Sequence, residues 1–204
     1  MSQRLALDVS DYPALVQGPR GALWWGMLGL VIIEVVLFGM LIAAYFYLKF
    51  HAPFWPPAGE KLPEFVLPTV NSVILVGSSL AIWYADTSIS ERGDQRGLKI
   101  GLIGSFLLGF TFVALKVLEY SRVGYFWDSH AYGSIVWTMV VFHSSHVTSV
   151  LLKTVVVLVL AYRGYWTRER CQGVKVNGLY WHFVVGIWIP LYFTIYVVPR
   201  IPTF

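Results

Sequence analysis

Charge and cysteine are both scarce in this chain. Of its 204 residues, 15 are Lys or Arg and 11 are Asp or Glu, while 57% are hydrophobic and 17% aromatic. A single soluble core of this size cannot bury so much apolar surface, so the composition excludes a soluble globular domain. Cys171 stands alone, which excludes a disulfide framework, a CxxC motif and a paired-thiolate copper or iron–sulfur centre. The opening stretch MSQRLALDVSDYPALVQGPR lacks the basic start, apolar centre and small-residue cleavage site of a removable signal peptide. The first apolar run is therefore expected to act as its own insertion signal. Low-complexity tracts, soluble domains and internal repeats are also missing.

What is present is a set of five long apolar runs, at about 22–48, 66–85, 98–118, 132–162 and 179–198. Each matches the roughly 20 apolar residues that a helix needs to cross a bilayer. The expected fold class is all-α, a polytopic membrane protein built as a bundle of five transmembrane helices over 22–198. A cytoplasmic segment 1–21 precedes it and a short extracytoplasmic tail 199–204 follows. With five spans, Arg4, Arg20, Arg92, Arg96, Lys99, Arg163, Arg168, Arg170 and Lys175 share one side, against Lys49, Lys61, Lys116, Arg122 and Arg200 on the other. By the positive-inside rule the N-terminus is cytoplasmic and the C-terminus outside. Tyr and Trp cluster near the span ends, as amphipathic rings do among headgroups. Trp24, Trp25 and Trp181, with His182 about two residues into the fifth run, are the candidate lipid or interface contacts. The first loop, HAPFWPPAGEKLPEF, is too proline-rich to continue a helix and should cross the outer surface extended. Gly101, Ser105 and Gly109 form a small-residue stripe suited to close helix packing.

Ionisable side chains within these runs carry the chemical information, because each costs roughly 2.5–3.5 kcal/mol at the bilayer centre and needs a partner. Glu34, in LGLVIIEVVLFG, falls some 18 Å deep at ~1.5 Å per residue. In FHSSHVTSVLLK, His143, His146 and Lys153 fall about 28, 24 and 13 Å deep on one broad helix face. Glu34 is therefore expected to bond with His146, Lys153 or both. Two imidazoles one turn apart cannot straddle a haem. Zinc or copper there would need further donors, from His182, Glu34 or Glu119. Polar contact between helices is the preferred reading of the pair, with no metal site expected. Glu34 itself fits either a proton-relay group or a structural contact. Lys116 and Glu119, three apart, should pair and snorkel outward, and Asn71 should hydrogen-bond between helices.

Several of these segments together resemble subunit III of the haem–copper oxidases, the cytochrome c and quinol oxidase family. They are WWGMLGLVIIEVVLF, FWPP, LPTVNSVILVGSS, LKVLEYS, AYGSIVWTMVVFHSSHV and LYWHFVVGIWIPLYFTIY, in family order over about residues 24–198. The resemblance is to the five-span bacterial form, which lacks the first two of seven spans. It implies a subunit of the bacterial cytoplasmic membrane with no redox centre of its own. Such a subunit packs directly on oxidase subunit I, where haem and copper reside, binds phospholipid in a cleft, and supports proton uptake and oxygen access. By the same resemblance Glu34 is the family's buried carboxylate, with His143, His146, Glu119 and His182 in matching motifs. Ser144 and Val150 replace glycines common in the family, Val185 replaces an acidic residue, and Lys153 is unusual. These departures keep open a paralogue associated with nitric oxide reductase. An independent transporter using Glu34 and Lys153 is the rival from a different class, though repeated halves and broken helices are absent. The electron donor is read by other subunits.

Overall fold

The computed structural model describes residues 21–60 and 62–201. Most of the expected cytoplasmic segment, Lys61 and the last three residues of the expected tail lie outside the described residues. Five helices follow one another: α1 (Ala22–His51), α2 (Val66–Ser90), α3 (Gln95–Tyr120), α4 (Ala131–Tyr162) and α5 (Gln172–Tyr192). A π-turn (Phe193–Val197) and a 3-10 turn (Val198–Arg200) prolong α5. All five helices are long and apolar enough to span a bilayer, and no strand occurs among the described residues. The chain is an all-helical membrane protein.

The helices outrun the apolar stretches that announce them. The fifth run begins near residue 179, yet α5 begins at Gln172. Asn177 in that extra length is satisfied inside the protein: its amide donates to Thr154 Oγ1 of α4 at 3.0 Å. A polar residue with such a partner ends an apolar run without ending the helix.

α5 is the hub, packing against α1, α2 and α4. Its seam with α2 is stitched by aromatic donors on one helix and hydroxyls on the other. Tyr192 OH meets Thr69 Oγ1 at 2.5 Å, Trp188 Nε1 donates to Ser72 Oγ at 2.8 Å, and Trp181 Nε1 donates to Ser78 Oγ at 2.9 Å. His182 Nδ1 lies 2.6 Å from Ser79 Oγ. From Thr69 through Ser72 to Ser78, each step forward on α2 matches a step back on α5, the register of an antiparallel pair. Interhelical bonds of this kind contribute about 0.6 kcal/mol apiece in a bilayer.

The α2–α3 contact depends on the small-residue stripe. A Cβ on Gly101 would lie 2.7 Å from Ala81 O, Ala85 N and Ala85 Cβ. Farther along, Gly109 faces Leu151 and Trp181, and Ser105 is wholly buried. Asp94 caps α3 by accepting from the backbone N–H of Arg96 and Gly97 at 2.8 and 3.0 Å. α1 is the least enclosed helix. Its buried residues are Glu34, Phe38 and Tyr45, spaced so that they fall on one stripe, and this stripe packs on α4 and α5.

Candidate functional site

Glu34 lies twelve residues into α1, roughly 18 Å along it, and is only 7% exposed. Its Oε1 accepts a hydrogen bond from Tyr180 OH of α5 at 3.0 Å. The same oxygen stands 3.5 Å from His146 Nε2 of α4. Oε2 is buried and has no hydrogen-bond partner among the described residues. Lys153 does not reach the carboxylate directly. Its ammonium sits over the Tyr180 ring, 3.4 Å from the centroid, a cation–π contact that also places positive charge beside the phenol bonded to Glu34.

The His146 ring is oriented by its other nitrogen. Nδ1 lies 2.7 Å from Phe142 O, and a carbonyl can only accept, so Nδ1 carries the hydrogen. In the neutral ring Nε2 is then a bare lone pair facing a carboxylate oxygen. A hydrogen bond across that gap requires one more proton, on either the imidazole or the carboxyl. At 3.5 Å the two atoms stand in close polar contact, beyond the usual N–H···O hydrogen-bond distance.

His143 belongs to a different contact. It is fully buried, and its Nε2 donates to Val184 O of α5 at 3.0 Å. Its ring lies 4.7 Å from that of Trp188, and Phe38 packs against both it and His146. Asn71 donates to Phe112 O at 3.1 Å, tying α2 to α3.

Glu119 forms a second cluster, separate from Glu34. Lys116 Nζ donates to Glu119 Oε2 at 2.7 Å and to Tyr196 OH at 2.8 Å, and Tyr196 OH donates to Glu119 Oε1 at 2.6 Å. The expected pair is present, but it does not snorkel. Lys116 is 2% exposed, because Tyr196 satisfies both charges and Trp188 offers its face 4.5 Å from the ammonium. Glu119 also lines a cavity of about 520 Å³ with Glu60, Glu64, Arg122 and Tyr125. Burial pushes the Tyr125 phenol, in the α3–α4 connection, up to about 12, so it stays neutral at physiological pH. At the rim of the same region His130 accepts from Gly133 N–H at 2.8 Å, capping α4, and its Nε2 lies 3.4 Å from Glu60.

The interface candidates divide. Trp25 is exposed at the start of α1 and packs edge-on against Trp24 at 5.0 Å. Trp181, by contrast, is 1% exposed: its indole is spent on Ser78, so it is a core residue and not a headgroup contact. His182 is exposed but sits ten residues into α5, well away from the helix end. Among the described residues no three His, Cys, Asp or Glu side chains are grouped to hold a metal ion, and His143 Nε2 and His146 Nδ1 are each committed to a backbone carbonyl. Tyr180 and Tyr196 are the site residues that sequence reasoning missed.

The model of the family described as cytochrome c oxidase subunit III matches residues 14–199. This chain belongs to the cytochrome c oxidase subunit III family. It is 34% identical to cytochrome c oxidase subunit 3 of Thermostichus vulcanus over 176 residues, covering 86% of this chain and 87% of that protein. It is 31% identical to the Synechocystis protein of the same name over 173 residues, 84% of this chain and 74% of that one. The Petromyzon marinus subunit 3 is 31% identical over 184 residues, with 84% and 68% covered. As a member of the haem–copper oxidase subunit III family, the chain is a protein of the respiratory chain.

Proposed function

We propose that this chain is the non-catalytic third subunit of a bacterial cytochrome c oxidase. In this reading it packs on subunit I, which holds haem and copper, sits in the cytoplasmic membrane with its N-terminus inside, and helps keep protons and oxygen supplied during turnover. The observation that carries it is the buried Glu34 carboxylate at mid-membrane depth, bonded by Tyr180 OH at 3.0 Å and 3.5 Å from His146 Nε2. Oε2 of Glu34 is buried with no hydrogen-bond partner among the described residues, so one carboxyl oxygen stays open while Oε1 keeps its bond to Tyr180. The lipid and oxygen part of the role is supported by an apolar groove of about 400 Å³ between α1 and α4, lined by Leu37, Met40, Leu41, Ala44, Thr138 and Phe142. An acyl chain and molecular oxygen both suit such a lining.

The test is Glu34→Gln in the assembled oxidase, followed through sustained turnover. Glutamine preserves an acceptor for Tyr180 but cannot ionise. Initial turnover should persist while activity decays faster than in the native complex. Unchanged decay would reduce Glu34 to a packing contact.

A further inference from the structure

α4 begins on an imidazole. His130 is its N-cap, and Nδ1 of the ring accepts the Gly133 N–H at 2.8 Å. A ring nitrogen that accepts a bond carries no hydrogen, so the neutral ring holds its hydrogen on Nε2. Nε2 faces Oε1 of Glu60, in the first loop, at 3.4 Å. That distance is loose for an N–H···O bond.

A second proton has one place to go, the lone pair at Nδ1, where the Gly133 N–H already points. Two donors cannot face each other across 2.8 Å, so the protonated ring leaves the helix. The same proton makes the ring a cation, which draws the Glu60 carboxylate into a shorter, charge-assisted bond. Protonation exchanges a helix cap for an ion pair. Glu60 favours the charged ring and Gly133 the neutral one, so two elements pull one side chain in opposite directions.

The other neighbours of the ring are aromatic: Tyr125 of the α3–α4 connection, with centroids 5.3 Å apart, and Tyr132 of α4, at 6.0 Å. Tyr125 stays neutral because burial pushes its phenol up to about 12. Beyond Glu60 the cavity wall carries Glu64, Glu119 and Arg122. The ion-pair partner of His130 among the described residues is Glu60, and the two side chains are 22% and 30% exposed, open enough for water to deliver a proton. Gly133, by contrast, is buried, and a Cβ there would stand 2.6 Å from Phe126 O and 3.3 Å from His130 Cε1. A buried N–H that loses its acceptor has to find water, so losing the cap opens the first turn of α4.

We propose that His130 is a pH-operated cap: acid on the outer side moves its ring from Gly133 to Glu60 and loosens the first turn of α4. The cap needs the neutral ring, so its stabilisation is present at higher pH and is lost as pH falls through the range where imidazoles titrate, about 5 to 8. Only the side that supplies the acid depends on the orientation proposed above.

The test follows hydrogen exchange at the Gly133 amide of the full chain in lipid nanodiscs from about pH 8 to about pH 5, as protection relative to the intrinsic rate. Asparagine caps a helix well but takes up no proton in this range, so His130→Asn is the reference. Native protection should fall about fivefold relative to His130→Asn across the range, the equivalent of one N-cap. The nitrogen NMR signal of His130 Nδ1 should pass from unprotonated to protonated over the same interval. Protection that runs parallel in the two proteins would overturn the switch, and so would an Nδ1 already protonated at the upper end. In sealed vesicles, acid confined to the side away from the N-terminus should produce the change. If acid on the N-terminal side does so instead, the cap stands and the proposed orientation fails.

Discussion

Gly101 and Gly104 lie on the same helix and differ in what an added methyl group would meet, so they measure how far the α2–α3 contact depends on close approach. A Cβ at Gly101 would stand 2.7 Å from Ala81 O and from two atoms of Ala85, where 3.4 Å begins ordinary contact. Backbone atoms on a packed helix cannot step aside, so α2 and α3 must part by about 0.7 Å. A gap of that size forfeits a quarter to a half of each contact along the seam, and overpacking of this kind costs about 1–3 kcal/mol. At Gly104 the nearest atom to a Cβ is Ala81 Cβ at 3.6 Å, which fits. Alanine there keeps the usual helix-interior gain over glycine of about 0.5–1 kcal/mol. Gly104→Ala should therefore raise stability and Gly101→Ala lower it; the helix-interior gain is common to both, so the overpacking cost separates them by about 1–3 kcal/mol. Unfolding of the purified chain in mixed micelles with rising SDS, read by tryptophan fluorescence, measures the difference. Equal midpoints, or Gly101→Ala the more stable of the two, would refute the reasoning.

Other perturbations follow from the polar clusters. Lys116→Met leaves Glu119 charged and buried, and should cost about 3–5 kcal/mol of stability in the same assay; combining it with Glu119→Leu and Tyr196→Phe should recover most of the loss. Tyr180→Phe removes one donor from Glu34 and should cost about 0.6–1.7 kcal/mol, a smaller midpoint shift than Lys116→Met gives. His130→Ala removes the cap on α4, worth about 1 kcal/mol, and should speed hydrogen exchange at the Gly133 amide while leaving α2 unaffected.

The spans were legible because bilayer thickness imposes a length that composition reveals. Their ends were less so: Asn177 interrupts the apolar run of α5, and nothing local shows that Thr154 waits on α4 to accept it. That one bond moves the helix start and carries His182 from the headgroup region toward the bilayer centre. The depth argument brought Glu34 level with α4, and the structure sets it beside His146. It missed Tyr180, which lies 146 positions away in sequence and carries the contact to Lys153. Tyr196 was hidden in the same way, so Lys116 and Glu119 read as an exposed pair. Trp181 misled because an aromatic near an expected span end looks alike whether it meets headgroups or, as here, a serine on the neighbouring helix.

Purification in mild detergent on an N-terminal tag, with partner identification, metal analysis and a reduced-minus-oxidised spectrum, tests the central claim most directly. The account predicts a larger membrane partner bearing haem and copper. A protein recovered alone and colourless would contradict it, and so would a partner with haem and non-haem iron but no copper.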